Sequence, residues 1–302
     1  MRATILRQLD LPNLPSASGV EIVGNTVYVI GDDAPYLYRF GAADLQPGQA
    51  LTLFETAHFS SGRIPKDRKP DLECLTTLTT AGGETGLLAC GSGATAARET
   101  GFWVPLPAGA GPAATVYPVA LGPLYARLRQ ELPAGVVLNL EAAAATNSEL
   151  LLFQRTVGSD AGNLVFRLPL APAAAHLLRH APQLPAVQAQ RFTLPAIDGK
   201  PAGFSGACFY DGRLFVTASV EDTADAVLDG TVLGSFVGVL DLSRPVGSAQ
   251  LARLALPDGR PYRGKVESVA VRRQSGPGRY ELLLVTDDDA GGSTAVVVEL
   301  AG

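Results

Sequence analysis

One pattern recurs five times along the chain, and it constrains the fold more than any other feature. A small or acidic pair opens each unit, an apolar strand follows, the chain turns, and a second strand ends in polar residues. The units begin at Ser18-Gly19-Val20-Glu21, Asp71-Leu72-Glu73-Cys74-Leu75, Asn139-Leu140-Glu141-Ala142-Ala143, Phe204-Ser205-Gly206-Ala207-Cys208 and Lys265-Val266-Glu267-Ser268-Val269. Their second strands end at Asp32-Asp33, Ser92, Gln154-Arg155, Ser219 and Asp287-Asp288-Asp289. A repeat of strand-rich units cannot bury its apolar faces one unit at a time, so neighbours must stack. The expectation is an all-β chain: a single β-propeller over residues 1–302, with five blades. Six blades is the alternative, if the stretch from Gly101 to Leu138 hides a degenerate blade.

Turn chemistry agrees. Gly24-Asn25 and Asp211-Gly212 stand between paired apolar runs, where a two-residue hairpin needs positive φ. With 33 Gly and 22 Pro in 302 residues, many short strands are expected. Third strands are predicted at Tyr36–Phe40, Leu164–Leu168, Phe236–Leu240 and Ala295–Val298, and one helix at Gly122–Leu132. The fifth unit runs out of chain after its third strand. The segment Ala3–Leu9 is predicted to supply its outer strand and close the ring, since radial closure leaves only short protected edges.

The net charge of −5 carries no basic stripe, which argues against a nucleic-acid partner. No apolar run is long enough to span a bilayer, so no membrane partner is expected. Cys74, Cys90 and Cys208 each sit in an apolar run, and their odd number opposes a disulfide framework. They are expected to be buried free thiols. The first ten residues lack the apolar core of a signal peptide. A cytoplasmic location follows, or a periplasmic one if the chain has been trimmed.

Strand geometry then places the polar residues. In up-and-down strands, the start of the first and the end of the second lie at the same end of the unit. The motif positions of all five units therefore converge on one mouth of the channel. The candidate ligand contacts are Ser18, Lys69, Ser92, Arg98, Arg155, Ser205 and Lys265. The candidate catalytic acids are Glu73, Glu141 and Glu267. Asp32, Asp33, Asp287 and Asp288 are candidate ligands for a hard divalent cation such as calcium, because oxygen donors abound and imidazoles do not. His58, His176 and His180 all lie away from these positions, which excludes a Ser-His-Asp triad or a His-rich zinc site there. Plain alternatives stand beside each reading. Asp-Asp runs after a strand also bond their own turn, the recurrent Glu can bond backbone around a ring, and Lys69 and Lys265 can pair with nearby acids.

The same motifs, together with Lys69-Pro70-Asp71, Gly91-Ser92-Gly93 leading to Arg98, and Thr286-Asp287-Asp288-Asp289, resemble a group of uncharacterised bacterial β-propeller proteins similar to the phytase-like or esterase-like propeller family. The resemblance spans nearly the whole chain and implies a secreted or periplasmic phosphoesterase. Two function classes follow. One is a metal-assisted hydrolase of a small anionic ester, a phosphate ester or lactone, with Arg98 and Arg155 gripping substrate oxygens. The other is a non-catalytic ligand-binding or scaffold propeller whose polar ring is structural.

Overall fold

The computed structural model describes residues 1–106, 115–156, 163–223, 230–243 and 249–302. It is all-β with two short helices. The chain opens with β1 (Arg2–Asp10). The first motif unit forms an antiparallel sheet of β2 (Ala17–Val23), β3 (Thr26–Gly31), β4 (Tyr36–Gly41) and β5 (Leu51–Thr52). The second forms β6 (Leu72–Thr79), β7 (Thr85–Gly91), β8 (Thr100–Pro105) and β9 (Tyr117–Ala120), followed by helix α1 (Gly122–Arg129). The third forms β10 (Leu140–Ala145), β11 (Glu149–Gln154), β12 (Leu164–Pro169) and, after helix α2 (Leu170–Leu177), β13 (Gln188–Arg191). A two-residue ribbon, β14 (Ala196–Ile197) and β15 (Lys200–Pro201), precedes the fourth unit, β16 (Gly203–Tyr210), β17 (Arg213–Asp222), β18 (Thr231–Leu240) and β19 (Ala249–Ala255). The last unit is β20 (Lys265–Gly276), β21 (Arg279–Asp287) and β22 (Ser293–Ala301).

The fourth strand of the last unit comes from the other end of the chain. β1 pairs antiparallel with β22, from Arg2 opposite Ala301 to Asp10 opposite Thr294. On its other side, Ala3 and Thr4 pair with Leu254 and Ala255 in parallel. This joins the fourth and last units into one continuous sheet of eight strands. The first strands pack in a cycle: β2 on β6, β6 on β10, β10 on β16, β16 on β20, and β20 back on β2. Residues 101–138 hold β8, β9 and α1 among their described positions.

The core lies between the sheets. Ile30 and Leu37 of the first unit meet Leu87 and Phe102 of the second. Leu88 and Trp103 meet Leu152 and Phe166, and Phe153 meets Phe204 at a ring separation of 5.2 Å. Phe215 meets Leu282 and Val298, while Val20 and Val29 meet Leu283 and Val297. Each sheet therefore buries both faces, which explains strands with apolar runs rather than strict alternation.

The motif residues occupy a special backbone position. In every unit the pairing between first and second strand skips one residue near the start of the first strand. The skipped residues are Ser18, Glu73, Glu141, Ser205 and Glu267. A bulge of this kind frees one residue from the ladder and re-aims its side chain. The residue after the bulge is always small: Gly19, Cys74, Ala142, Gly206 or Ser268. Space demands it. A Cβ at Gly19 would lie 2.8 Å from Leu75 Cβ, and one at Gly206 2.5 Å from the Ser268 Cα, each in the neighbouring unit.

The hairpins follow their sequence signals. Gly24 has φ 58°, and Asp211 and Gly212 have φ 47° and 73°. Helix α1 starts where expected and is shorter by three residues. Helix α2 was not expected; its Ala173, Ala174 and Leu177 pack against the second and third units. The three cysteines are buried and free. Among the described residues no helix is long and apolar enough to cross a membrane.

Closure by β1 has a measurable consequence. Removal of residues 1–10 exposes the β22 edge and the apolar side chains beneath Ala3 and Ile5. The truncated chain should unfold roughly 10 °C lower and scatter light at concentrations where the full chain does not. An unchanged unfolding temperature would show that β1 contributes nothing to holding the sheets together.

Candidate functional site

The bulged residues and the ends of the second strands meet at one end of the ring, linked by an almost unbroken circuit of ion pairs. Lys69 approaches from the connection between the first and second units. Its Nζ contacts Asp32 Oδ2 and lies 2.8 Å from Asp71 Oδ1. Asp71 sits at φ 55°, a left-handed conformation that Asp tolerates better than most residues. Its second oxygen accepts from Arg98 Nη1 at 2.6 Å and from Ser92 Oγ at 2.5 Å. Helix α1 steadies this corner: Tyr125 Oη donates to the Gly91 carbonyl at 2.6 Å and Arg129 Nη2 to the Gly93 carbonyl at 2.8 Å.

On the opposite side, Arg155 is buried between two units. Its Nη1 lies 3.1 Å from Glu141 Oε2 and its Nη2 2.9 Å from Glu221 Oε1. Asn139 Nδ2 donates to the other oxygen of Glu141 at 2.5 Å. Lys265 continues the circuit, 3.5 Å from Glu221, 3.1 Å from Glu267 and 3.1 Å from Asp289. Arg63 closes it, with Nε 2.5 Å from Asp33 Oδ2 and Nη1 donating to the Asp289 carbonyl at 3.5 Å.

Every junction between neighbouring units but one is thus bridged by a cation. Lys69 joins first to second, Arg155 third to fourth, Lys265 fourth to last, and Arg63 last to first. Between the second and third units, the charge of Glu141 bears on Glu73, and among the described residues no cation forms an ion pair with Glu73. Glu73 also differs from the other acids of the ring in its partners. Among the described residues its carboxyl makes no hydrogen bond and no ion pair, and it is only partly buried. Carboxylate oxygens of Asp32, Asp71 and Glu73 lie within 4.8 Å of one another, a spacing that could hold a metal ion. Asp32 Oδ1 is buried there with no partner.

The electrostatics follow from burial and crowding. Burial pushes Glu73 well above the usual carboxylate range, and Asp71, Glu141 and Asp32 push it further, against the pull of Lys69. Burial raises Asp32 to about 7 despite Lys69, with Asp33 and Asp71 adding to the rise. Burial lifts Glu267 to about 8, against Lys265 and Arg155, and lifts Asp287 to about 6, against Lys265. Burial also acts on Glu221, but Arg155 and Lys265 outweigh it and hold that acid low. The same acids outweigh burial at Lys69, Arg155 and Lys265 and keep all three charged.

The structure places the expected residues as follows. Asp32, Lys69, Glu73, Arg98, Glu141, Arg155, Lys265, Glu267 and Asp287 share the circuit or face it. Arg98 and Arg155, expected to grip substrate oxygens, hold carboxylates of the protein instead. The three serines, expected as ligand contacts, are buried and serve the fold: Ser18 Oγ donates to the Leu72 carbonyl of the next unit at 2.5 Å, Ser92 bonds Asp71, and Ser205 Oγ donates to Thr217 Oγ1 at 3.2 Å. Asp33, expected as a metal ligand, pairs with Arg63. Asp288 is exposed and accepts from the backbone of Ala290 and Gly292 at 2.8 and 2.7 Å, the turn role of an Asp run. Arg63 escaped the sequence reading. It lies in an irregular connection outside the repeat, and no motif marks it.

Two variants probe this electrostatic arrangement. Arg155→Met leaves Glu141 and Glu221 buried without their cation and should cost about 3–5 kcal/mol of stability in chemical denaturation; a change near zero would mean water replaces the guanidinium without penalty. Glu73→Gln should act in the opposite direction, and only above the ordinary Glu value of 4.5. Below it Glu73 is neutral in folded and unfolded chains alike. Above it the unfolded chain gains the charge that the folded site resists. The variant should then gain on the parent by at most about 1.4 kcal/mol per pH unit, up to the pKa of Glu73 in the folded protein. Stability curves for the two proteins that stay parallel from about pH 4 to about pH 8 would refute a proton-holding Glu73.

Comparison with solved structures adds to the picture of the fold. The chain is similar to the Myxococcus xanthus glutaminyl cyclase, with a TM-score of 0.52 and 12% identity over 99% of this chain and 97% of that one. It is also similar to the Cellvibrio cellulosa alpha-L-arabinanase, with a TM-score of 0.45 and 12% identity over 96% and 91%, and to the Neurospora crassa Pan2 WD40 domain, with 0.41 and 10% over 99% and 96%. At such identities the likeness concerns the fold alone, and of the three only the first, at 0.52, bears on it; the four-stranded sheets whose first strands pack in a cycle are propeller-like. No curated protein matches the chain. None of these comparisons supports the expected likeness to phytase-like or esterase-like propellers. The model of one family, the family of unknown function DUF6929, matches residues 13–300, and the chain belongs to that family.

Proposed function

We propose that the chain is a single five-bladed propeller closed by its N-terminal strand, and that the mouth of its channel is a hydrolytic site in which Glu73 handles the proton. The observation that carries this reading is the break in the circuit. At the junction of the second and third units the charge of Glu141 bears on Glu73, and among the described residues the Glu73 carboxyl has no hydrogen bond and no ion pair. A partly buried carboxyl with a raised pKa, open to the mouth, suits general acid–base chemistry near neutral pH. Glu141 and Glu267 flank it as the acids that orient and stabilise.

The charge balance selects the substrate. Among the described residues of the circuit, Asp32, Asp33, Asp71, Glu73, Glu141, Glu221, Glu267, Asp287 and Asp289 outnumber Arg63, Lys69, Arg98, Arg155 and Lys265, nine to five. The guanidinium groups already hold acids. A neutral lactone or ester therefore fits the unaided site better than a phosphate ester. An anionic ester becomes acceptable once a hard divalent cation joins Asp32, Asp71 and Glu73, and calcium accepts such an oxygen-rich set. Lys69 would then yield its contacts with Asp32 and Asp71 to the metal. The partner is a small molecule rather than nucleic acid or a bilayer, and we place the protein in the cytoplasm, where its three free thiols remain reduced.

A scaffold reading is favoured by one fact, that Lys69, Arg155 and Lys265 each clamp acids and three of the four bridged junctions rest on them. A hydrolysis screen separates the two. The parent protein is assayed on lactones, carboxylic esters and phosphate monoesters, with and without calcium, beside folded Glu73→Gln. Turnover lost by about 100-fold or more in the variant supports the proposal, that being the scale of a general acid–base contribution. Turnover that survives the substitution, or no turnover together with no calcium-dependent rise in unfolding temperature, assigns the ring to holding the blades together.

A further inference from the structure

A second cavity lies at the other end of the second unit. Glu84 precedes β7 and Ser92 follows it, so the cleft at Glu84 and the mouth at Ser92 stand at opposite ends of that strand. The cleft runs between β8 and β9 and the end of α2, with a volume of about 420 Å³, within the size range of small-molecule sites. Trp103, Val119 and Leu177 form its apolar wall, and Tyr117 stands at the rim, 51% exposed. Gly86 makes room for the indole, because a Cβ there would fall 2.5 Å from ring atoms of Trp103.

The polar groups of the cleft are unevenly divided. Arg179 and His180 line it from the end of α2, and Glu84 is the one acid among its described lining residues. Arg179 is held in the left-handed region at φ 61°. Its own N–H donates to the His176 carbonyl at 3.1 Å, and the next N–H to the Ala175 carbonyl at 2.7 Å. Glycine is the usual occupant of this position after a helix, since it alone adopts the conformation without strain. Here the chain keeps an arginine, and among the described residues its guanidinium has no acidic partner. An exposed aromatic beside a buried indole on the neighbouring strand, with a fork of donors that has no acidic partner among the described residues, matches a flat apolar body that ends in a carboxylate.

We propose that this cleft is a second small-molecule site, independent of the mouth, that binds an aromatic carboxylate with its ring system between Trp103 and Tyr117 and its carboxylate on Arg179. The chain has one Trp, so indole emission reports on this cleft alone. The probes are 2-naphthoate and, as its cationic counterpart, 2-naphthylmethylamine, titrated against the full chain by Trp emission and calorimetry. Naphthoate should bind saturably and the amine should not. Arg179→Gly removes the cation and suits the backbone at that position, so the fold is kept; it should weaken naphthoate binding at least about fivefold. Glu73→Gln should leave it unchanged. No saturable binding of naphthoate, equal binding of the amine, undiminished binding by Arg179→Gly, or loss of binding in Glu73→Gln would each overturn the proposal.

Discussion

Strands that all begin at one point bring their first polar residues together, and the repulsion among those residues is the constraint around which the ring is arranged. Acids gathered at the mouth must be offset by cations or by protons. Both solutions are present. Lys69, Arg155, Lys265 and Arg63 are set between units, so each offset is also a clamp across a junction. Where burial outweighs the neighbouring cation, the carboxyls of Asp32 and Glu267 are raised toward neutrality. The mouth is therefore held by electrostatics and the body of the ring by apolar contacts between sheets.

The bulge is what connects these two layers. It releases one side chain per unit toward the mouth and puts a small residue next, where adjacent first strands approach most closely. Hydrogen bonds between first strands exploit that approach. The Val20 N–H donates to Ser268 Oγ at 3.1 Å and the Ala145 N–H to Thr76 Oγ1 at 3.1 Å. The small, apolar character of the opening strands thus has a geometric cause, and it cannot be altered at Gly19 or Gly206 without parting two units.

This division explains what could be read in advance. The repeat, the hairpin dipeptides, the third strands and the pairing of Ala3–Leu9 with the last strand all rest on local pattern or on the count of strands, and they were legible. So was the convergence of Asp32, Glu73, Glu141, Arg155, Glu267 and Asp287, which follows from strand direction alone. The partners were not. A sequence shows that Arg98 and Arg155 are near acids, but whether a guanidinium faces solvent or a neighbour's carboxylate depends on how adjacent units dock. The bulges left no mark, because skipping one residue changes register without changing residue type. Arg63 and α2 lie outside the repeat, so no comparison between units could single them out.

Comparison between units also gives meaning to Glu73. The same bulged position is filled in three ways. Ser18 and Ser205 fill it with a neutral hydroxyl that finds a carbonyl or another hydroxyl nearby. Glu141 and Glu267 fill it with an acid that meets a cation, Arg155 or Lys265. Either solution satisfies the fold, and the chain has both at its disposal. Glu73 uses neither: among the described residues its carboxyl has no hydrogen bond and no ion pair, and the charge of Glu141 bears on it, at a place where a serine would remove the repulsion. A ring that only had to hold its units together would be more stable without it. On the proposed reading that cost is what a site needs, a proton to be moved or a positive charge to be received.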